Sequence, residues 1–278
     1  MRIISLNLNG LRSAAQKGVM EWLSTQSADV VCVQEIKAQA ADLSPSHLSF
    51  PSDKGPVQAW LHCAEKRGYS GVGLYSPHRP ERVETGFGAQ EFDAEGRLVR
   101  ADFSAGTFGS SPLSVMSLYA PSGSASEERQ ASKFRFMEVF LPRLEAWMRD
   151  HRSSGREYVI CGDWNIAHTE KDLKNWRGNL KQSGFLPQER AWMTEVLGGL
   201  GWVDSFRRLY PEEEAQGYTW WSNRGQARAN NVGWRIDYTL VTPGLAERLV
   251  DARVYKDQKF SDHAALVVDF QSSHVTPR

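Results

Sequence analysis

The chain has 278 residues, of which 41% are hydrophobic, and this is enough apolar material for one sizeable core. Its 33 basic and 33 acidic residues cancel, so the overall charge excludes a protein that binds polyanions over its whole surface. The sequence has no run near the roughly 18 apolar residues of a membrane span, and the opening MRIISLNL is too short for a signal peptide. Three cysteines without a C-x-x-C motif indicate reduced thiols in a cytoplasmic protein.

Short runs rich in β-branched and aromatic residues predict strands, and they cluster without regular alternation with helices. This pattern argues against a doubly wound parallel sheet. It favours an α/β protein with two mixed β-sheets packed face to face and helices outside. The predicted strands are 2–8, 30–34, 59–63, 71–76, 98–103, 113–119, 158–162, 235–241 and 264–270.

Helical spacing of apolar residues predicts helices at 16–25 and 127–149, and Pro187 suits the first turn of a third helix. Pro142 lies inside the second pattern, so we expect a kink there or two separate pieces. Polar stretches at 38–55 and 120–129 are interpreted as loops, and 271–278 as a frayed tail.

Polar residues stand at the ends of several apolar strands. In LNLNG at 6–10, Asn7 and Asn9 alternate with leucines, so both amides are expected on one side, with an Asn-Gly turn as the alternative. Glu35 follows the apolar run VVCVQ and is either a solvated loop residue or a ligand for a hard cation such as Mg²⁺. Tyr119 ends another strand and is either an aromatic rim residue or a functional phenol.

The stretch GDWNIAH at 162–168 places Asp163 and Asn165 on one side of an extended backbone, with His168 interpreted as structural. A carboxylate beside an amide can take a proton from water and hold a phosphoryl oxygen. Asp237 lies inside a predicted strand, where a charge needs a partner, and orienting a histidine is a common solution. Asp262 and His263 are adjacent at the entry of the last strand, where both can reach one site.

The strand ends together supply carboxylates, amides, an imidazole and a phenol. No G-x-S-x-G, P-loop or G-x-G-x-x-G motif accompanies them. This set suits a metal-assisted attack of water on a phosphodiester.

The order LNLNG, QEIK, YAPS, GDWN, RIDY and SDHA resembles the exonuclease III-type apurinic/apyrimidinic (AP) endonucleases of the endonuclease/exonuclease/phosphatase superfamily, from residue 1 to about 270. The resemblance implies a four-layer α/β sandwich with one catalytic domain over residues 1–270, a tail at 271–278 and a site at one edge of the sheets. Two departures are Asn9, where some relatives carry Asp near the metal, and Ser122, where many carry Asn.

The resemblance also assigns roles to the strand-end residues. Asp163 would activate the attacking water, Asn165 would hold that water or a phosphate oxygen, and Asp237 would orient His263. Tyr119 and His263 would contact the scissile phosphate. Whether one metal or two acts, and which group is the base, stays open. The implied Mg²⁺ or Mn²⁺ site has Glu35 as main ligand, Asn7 and Asp262 close by, and Asp163, Asn165 and His263 around it.

A DNA surface is predicted at 219–236, which has three Arg, three Trp and no acidic residue. Arginines can hold phosphates while tryptophans wall a sugar or base, and a packed aromatic core with exposed arginines is the alternative. By resemblance, Trp220, Trp234 and Ile236 would wall a pocket for an extruded abasic sugar, and the small Ser183 and Gly184 would leave room for a nucleotide. The remaining DNA-contact candidates are Arg12, Gly68, Tyr69, Ser122, Lys174, Asn175, Arg177, Asn179, Lys181, Arg224 and Arg228.

The family activity implied is hydrolysis 5′ to an abasic site in double-stranded DNA, leaving a 3′-hydroxyl and a 5′-deoxyribose phosphate, with 3′-trimming at the same site. The expected partner is DNA with abasic sites or blocked 3′ ends, with no membrane, and the expected state is a monomer, nucleoid-associated if bacterial. Alternatives are a 3′-trimming paralogue, a phosphoinositide phosphatase or sphingomyelinase, a secreted DNase I-like nuclease, and a catalytically dead DNA-binding module.

Overall fold

The computed structural model describes residues 1–271, which form two β-sheets, a short β-ribbon and surrounding helices. The tail predicted at 271–278 lies, from residue 272 on, outside the described residues. The strands in chain order are β1 (Arg2–Asn7), β2 (Val30–Gln34), β3 (Ser49–Phe50), β4 (Val57–His62), β5 (Val72–Ser76), β6 (Arg82–Thr85), β7 (Leu98–Phe103), β8 (Leu113–Tyr119), β9 (Glu157–Asp163), β10 (Val203–Asp204), β11 (Trp220–Trp221), β12 (Gly233–Trp234), β13 (Asp237–Val241), β14 (Leu249–Tyr255) and β15 (Ala265–Phe270).

The helices connect these strands and cover the outer faces of the sheets. They are α1 (Leu11–Gln16), α2 (Val19–Ser24), α3 (Pro45–Leu48), α4 (Gln90–Asp93), α5 (Glu127–Ser154), α6 (Trp176–Asn179), α7 (Pro187–Thr194), α8 (Ser205–Leu209) and α9 (Pro243–Ala246). Shorter 3₁₀ or π turns occur at Ala40–Asp42, Glu170–Asp172, Glu195–Gly199 and Ala215–Gly217.

Both large sheets are mixed. Sheet A has seven strands in the order β14-β15-β1-β2-β5-β4-β3, and only its β1–β2 pair is parallel. Sheet B has six strands in the order β10-β13-β9-β8-β7-β6, and only its β8–β9 pair is parallel. The ribbon pairs β11 with β12.

The sheets pack face to face around a buried apolar core. Ile3 and Cys32 of sheet A belong to the same cluster as Val159 and Cys161 of sheet B. Their alternating inward positions follow from the two-residue period of a strand. Cys32 and Cys161 are buried free thiols, as the sequence predicts, whereas Cys63 is half-buried.

Helices cover the outer face of each sheet. Phe140 of α5 packs with Ile160 on sheet B, and Trp22 of α2 packs with Val31 on sheet A. Each of these side chains is apolar on a helix or strand face that would otherwise meet water, so their burial drives the layering. The helix–sheet–sheet–helix order confirms the predicted four-layer α/β sandwich.

Two helix predictions are wrong in their bounds. The helix predicted at 16–25 corresponds to α2, which begins only at Val19 because Gly18 before it takes a left-handed conformation with φ of 86°. The helix predicted at 127–149 is α5, which extends to Ser154 as one 28-residue helix, so two separate pieces at Pro142 are wrong, whereas a kink there stays a prediction. Pro142 is exposed, so the helical carbonyl that it leaves unpaired faces water while Phe140 and Leu144 stay buried.

Several loop and strand bounds also differ. The stretch 38–55 contains α3 and β3, and β3 pairs with β4 at the sheet edge. The loop 120–129 ends early because Ser126 caps α5 by accepting a hydrogen bond from the Arg129 amide (3.2 Å). The strand predicted to begin at Arg235 begins at Asp237, because the Arg235 amide donates instead to the Asp172 carbonyl (2.7 Å). Six strands were not predicted, namely β3, β6, β10, β11, β12 and β14.

The strand ends that carry polar residues meet at one edge of the sandwich. In sheet A, Asn7 lies beside Gln34, the residue before Glu35. In sheet B, Tyr119 and Asp237 are the register partners of Asp163 on its two sides. No helix among residues 1–271 is both long and apolar enough to cross a membrane.

Candidate active site

A carboxylate cluster joins the ends of the two sheets. The Asn7 amide donates from Nδ2 to Glu35 Oε1 and to Asp163 Oδ2, both at 2.9 Å. Glu35, Asp163 and His263 each offer one ligand atom, and these three atoms lie within 4.8 Å of one another. Residues far apart in sequence therefore converge on one spot, as the strand-end pattern predicted.

Asn7 faces the carboxylates through its NH₂ group, and its role at a metal stays a prediction. Its Oδ1 accepts a hydrogen bond from the Asn9 amide (2.9 Å), so its NH₂ group, not its oxygen, faces the carboxylates. Asn9 does not continue the strand as predicted, because β1 ends at Asn7 and Asn9 has a left-handed φ of 45°. Asn7 therefore orients the two carboxylates as a donor.

Asp237 and His263 form the predicted pair. His263 Nδ1 lies 2.8 Å from Asp237 Oδ2, and its other nitrogen, Nε2, lies 3.8 Å from Asp163 Oδ2. Ser261 donates to the Asn7 carbonyl (2.6 Å) and accepts from the His263 amide (2.9 Å), which ties this segment to β1. The imidazole thus stands between two buried carboxylates.

The pKa shifts follow from this arrangement. Burial and the neighbouring carboxylate of Asp237 raise the pKa of Asp163 to about 7, against the lowering effect of His263. Burial alone would lower the pKa of His263, but Asp237 and Asp163 raise it to about 10. Near neutral pH the imidazole is charged, and Asp163 is poised to exchange a proton.

Glu35 occupies an unusual backbone position. Its φ of 51° lies in the left-handed region, which is uncommon for a residue with a side chain. The Glu35 carbonyl accepts from the Gly10 amide (2.8 Å), and the Ile36 amide donates to the Gly71 carbonyl (3.1 Å), so neighbouring loops hold the turn. Local strain of this kind persists where the surrounding structure fixes it, and it aims the carboxylate at the cluster.

Lys37 is a site residue that the sequence analysis missed. Its ammonium lies 2.5 Å from Glu35 Oε2 and donates to Asn9 Oδ1 at 2.5 Å. Burial alone would raise the pKa of Glu35, but Lys37 and the Asn7 amide bring it below the ordinary value. The QEIK motif has a lysine two residues after Glu35, and this spacing could have indicated Lys37 as a partner of the carboxylate.

Tyr119 lies at the rim of the cluster. Burial and the carboxylates of Glu35 and Asp163 raise the pKa of its hydroxyl well above the ordinary value, so it stays a neutral donor. Arg97 supports it from behind, because its guanidinium lies 5.0 Å from the ring centroid and donates to the Tyr119 carbonyl (2.9 Å). The sequence analysis missed Arg97.

Asn165 is not on an extended backbone, contrary to expectation. Its φ is 54°, its amide N–H donates to Asp163 Oδ1 (2.9 Å), and its Nδ2 donates to the Ala120 carbonyl (2.9 Å). The turn reverses the chain after Asp163, which is why simple alternation fails. His168 is structural, as predicted, because its ring contacts Thr194 (2.8 Å) and it does not line the cleft.

Asp262 borders the site without joining the three ligand atoms. One of its oxygens accepts from Asn9 Nδ2 (2.9 Å), and the other accepts from Trp220 Nε1 (3.1 Å). It therefore links the catalytic cluster to the wall of the neighbouring cleft. Its role at a metal stays a prediction, as does that of Asn165.

A cleft of about 330 Å³ opens over the cluster. The predicted wall residues Trp220, Trp234 and Ile236 all line it, and the two indole rings meet edge to face at 6.3 Å. Ser183 and Gly184 also line it, and Gly184 lies beside the Trp234 ring. The aromatic walls and the acidic floor therefore belong to one concave site.

The predicted DNA-contact residues surround this cleft unevenly. Ser122 and Asn179 line it directly. The Tyr69 hydroxyl accepts from Arg97 (2.9 Å) and Arg129 (3.1 Å), so it joins the support of Tyr119. The exposed candidates are Arg12, Gly68, Lys174, Asn175, Arg177, Lys181 and Arg224.

The arginines of 219–236 do not form the expected uniform patch. Arg235 is buried, with its Nε 2.7 Å from Asp172 and its Nη1 2.7 Å from Asp204. Arg228 is half-buried, with its guanidinium 4.8 Å from the centroid of the Trp221 ring. Packing therefore accounts for two of the three arginines, and Arg224 alone of these three is exposed.

The donor set fits a hard divalent cation. Two carboxylates from Glu35 and Asp163 face a common point, and Mg²⁺ is usually bound through one or two carboxylates with several waters. The short contact between Lys37 and Glu35 already shows that positive charge is stabilised at this carboxylate.

Comparisons with known proteins agree with this geometry. Residues 4–263 match the Endonuclease/Exonuclease/phosphatase family. An exodeoxyribonuclease of Bacillus subtilis is 36% identical over 95% of this chain and 96% of its own, and the DNA repair nuclease APEX1 of Danio rerio is 34% identical over 96% and 81%.

Solved structures share the fold over nearly the whole chain. An AP endonuclease from Archaeoglobus fulgidus superposes with a TM-score of 0.81 at 27% identity, covering 98% of this chain and 99% of that one. A 3′-5′ exonuclease from Neisseria meningitidis gives 0.80 at 25% identity, covering 98% and 100%. The chain therefore belongs to the endonuclease/exonuclease/phosphatase family, among the hydrolytic nucleases related to exodeoxyribonucleases and AP endonucleases.

Proposed function

We propose that the chain is a Mg²⁺- or Mn²⁺-dependent repair nuclease that cuts double-stranded DNA 5′ to abasic sites. The products would be a 3′-hydroxyl and a 5′-deoxyribose phosphate. The observation that carries this proposal is the continuous contact from Asp237 through His263, Asp163 and Asn7 to Glu35, at the floor of a cleft with aromatic walls. Relatives named as a DNA repair nuclease and an exodeoxyribonuclease support it.

The cation would be held by Glu35 and Asp163, with His263 beside it. When bound, it would neutralise charge on the phosphate and lower the pKa of water. Asp163 would accept the proton of the attacking water, because its carboxylate lies at the floor of the cleft. In the metal-free protein burial and Asp237 raise its pKa, and a bound cation would lower that pKa again and keep the carboxylate charged. The water oxygen forms a bond to phosphorus, the bond from phosphorus to O3′ breaks, and that oxygen takes up a proton to become the 3′-hydroxyl.

His263 and Tyr119 would stabilise the charge that develops on the phosphate. The imidazolium is fixed by Asp237, so its Nε2–H is already oriented toward the cluster. The Tyr119 hydroxyl keeps its proton and can donate it in a hydrogen bond. Preoriented donors of this kind stabilise a transition state without reorganisation.

The cleft suits an extruded abasic sugar. Trp220 and Trp234 provide flat walls, and an abasic nucleotide is extruded at lower cost because no base must be unstacked. The exposed Lys174, Arg177 and Lys181 would contact phosphates beside the cleft. We propose that the enzyme acts as a monomer on such DNA.

A second candidate is a 3′-trimming nuclease with little incision at internal abasic sites. The small Ser183 and Gly184 in the cleft lining favour it, because they leave space for a base. The similarity to a 3′-5′ exonuclease of known structure points the same way.

A gel assay on two labelled duplexes separates these candidates. One duplex carries an internal tetrahydrofuran abasic analogue, the other is intact with a recessed 3′ end, and each is incubated with Mg²⁺ or with EDTA. We expect a Mg²⁺-dependent nick 5′ to the analogue. Shortening of the 3′ end alone would support the trimming enzyme, and no cleavage of either duplex would contradict both.

A further inference from the structure

A buried ion pair lies behind the site and is not explained by the mechanism. Lys133 Nζ on α5 lies 2.6 Å from Glu189 Oε1 in the first turn of α7, and their side chains are 1% and 0% exposed. Burying two charges costs solvation energy that their attraction recovers only with good additional contacts. The further partners of each side chain therefore indicate what the pair does.

Lys133 holds the turn that follows the proposed base. Its Nζ donates to the Asn165 carbonyl at 2.7 Å. Asn165 has the left-handed φ of 54°, and its amide donates to Asp163 Oδ1 at 2.9 Å. A cation on this carbonyl stabilises an otherwise unfavourable conformation and thereby fixes the orientation of the Asp163 carboxylate.

Glu189 holds the wall of the cleft. Its Oε2 accepts from the amides of Gly184 (2.7 Å) and Leu186 (3.0 Å). Gly184 has φ of 92°, and a side-chain carbon there would lie 3.3 Å from the Trp234 ring and 3.1 Å from the Asn165 carbonyl. The glycine segment is therefore fitted between the aromatic wall and the catalytic turn.

We propose that the Lys133–Glu189 pair is a positioning element that fixes the catalytic turn at Asp163–Asn165 relative to the cleft wall at Gly184–Trp234. It acts through these residues and touches no reacting atom. The Ala167 amide donates to the Gly184 carbonyl (2.8 Å), so both segments already share a backbone contact that the pair reinforces. The kinetic consequence rests on the proposed function, whereas the structural consequence does not.

The kinetic test compares Lys133→Met with Lys133→Arg and with Met137→Ala. Met137 is buried one turn further along α5, so its truncation lowers stability while both charges of the ion pair are kept. We expect Lys133→Met to lower kcat on the abasic duplex by roughly 100-fold, because misplacement by about 1 Å is enough for that. KM should change less than about threefold, and Lys133→Arg should recover most of kcat.

A purely structural role gives a different result. Lys133→Met would then lose no more activity per folded molecule than Met137→Ala, and this outcome would overturn the proposal. If Lys133→Met does not fold, the double variant Lys133→Met/Glu189→Leu removes both charges and keeps the core apolar. The proposal requires the same loss of kcat in that variant, and normal kcat there would contradict it.

Hydrogen–deuterium exchange tests the pair without DNA. We expect faster exchange at the Ala167, Gly184 and Leu186 amides in Lys133→Met, with α5 protected elsewhere. Unchanged exchange at these amides would overturn the proposal even if the enzyme is active. If wild-type protein cuts neither duplex, the proposed function fails while this measurement still decides whether the pair positions the two segments.

Discussion

Asp163 and Asp172 are both almost fully buried, yet their carboxyl pKa values shift in opposite directions. Burial alone would raise the pKa of Asp172, but Arg235 and Arg207 lower it far below the ordinary value. Asp163 instead faces Asp237 and Glu35, and its pKa rises to about 7. The main difference between these two buried aspartates is the balance of charge around them, because two arginines pair with Asp172 whereas carboxylates outnumber the one imidazolium beside Asp163.

This difference separates a structural site from a functional one. Asp172 accepts from Arg235 (2.7 Å) and Arg207 (2.6 Å), and Asp204 completes the group, so its charges are compensated. The group lies under the wall that carries Trp234 and Ile236. The catalytic cluster has more carboxylates than cations, and it can therefore exchange protons and attract a divalent cation.

The largest expected effect comes from replacing Asp163, the buried carboxylate whose neighbours are mostly carboxylates. Asp163→Asn should lower the nicking rate by about 10³- to 10⁴-fold, because the general base is lost while the shape is kept. Its free energy of unfolding should not fall, since repulsion with Asp237 is relieved. Single-turnover nicking and urea unfolding of the same preparation check both points. Near-normal nicking would contradict the assignment of Asp163 as the general base.

Replacing Asp172, the carboxylate paired with arginines, should have the reverse effect: it should lower stability and leave nicking nearly unchanged. Asp172→Asn removes one of the two carboxylates that pair with the buried Arg235, so that charge is only partly compensated and we expect a loss of about 3–5 kcal/mol in the free energy of unfolding. Nicking per folded molecule should stay within roughly threefold of wild type, because no predicted reacting group is changed. A stable but inactive variant would contradict the division between the two sites.

Acid should lower the free energy of unfolding by protonating carboxylates whose pKa is depressed in the folded protein. The pKa of Asp29 is lowered to about 2 by His78, Lys54 and the Arg2 amide, although burial alone would raise it. A carboxyl whose pKa is depressed in the folded state contributes fully to the free energy of unfolding above its unfolded pKa of about 3.9. This contribution is lost as the pH falls toward 2. Asp29→Asn should remove about 1 kcal/mol of the stability that is lost between about pH 5 and 3, as measured by unfolding at both pH values. An identical pH slope in the variant would show that Asp29 does not contribute.

The smallest expected effect compares two arginines four residues apart. Arg224 is exposed, so Arg224→Ala should weaken DNA binding and lower the slope of log binding constant against log salt concentration by about one unit, as expected for one lost phosphate contact. Arg228 packs on Trp221, so Arg228→Ala should instead lower stability by about 1 kcal/mol and leave the salt slope unchanged. Equal salt slopes in both variants would contradict the distinction.

The sequence predicted the layers and the strand-end residues because both follow from local patterns. Apolar runs placed the strands, and a charge inside an apolar strand required a partner for Asp237. The family resemblance, not the local pattern, named His263 as that partner, and the two side chains do form a pair. The turns after the strands were not predictable in this way. Asn165 and Glu35 have left-handed backbones that only tertiary contacts hold in place.

Partners of buried charges were also beyond local patterns. Arg235 lies in a basic and aromatic stretch that indicates a DNA surface, yet its partner Asp172 is 63 residues away in the chain. Lys133 and Glu189 belong to separate helices, α5 and α7, that meet only in the folded structure. Such pairs depend on packing between distant segments, and spacing in one segment carries no signal for them.

The most direct test of the account is to measure the two aspartate titrations in the same sample. Carboxyl ¹³C shifts of Asp163 and Asp172, assigned with the two Asn variants, would be followed by NMR in chelator-treated protein over the folded pH range. The account predicts a transition near pH 7 for Asp163 and none for Asp172 while the protein remains folded. Titration of Asp163 near the ordinary value of about 3.9 would contradict it.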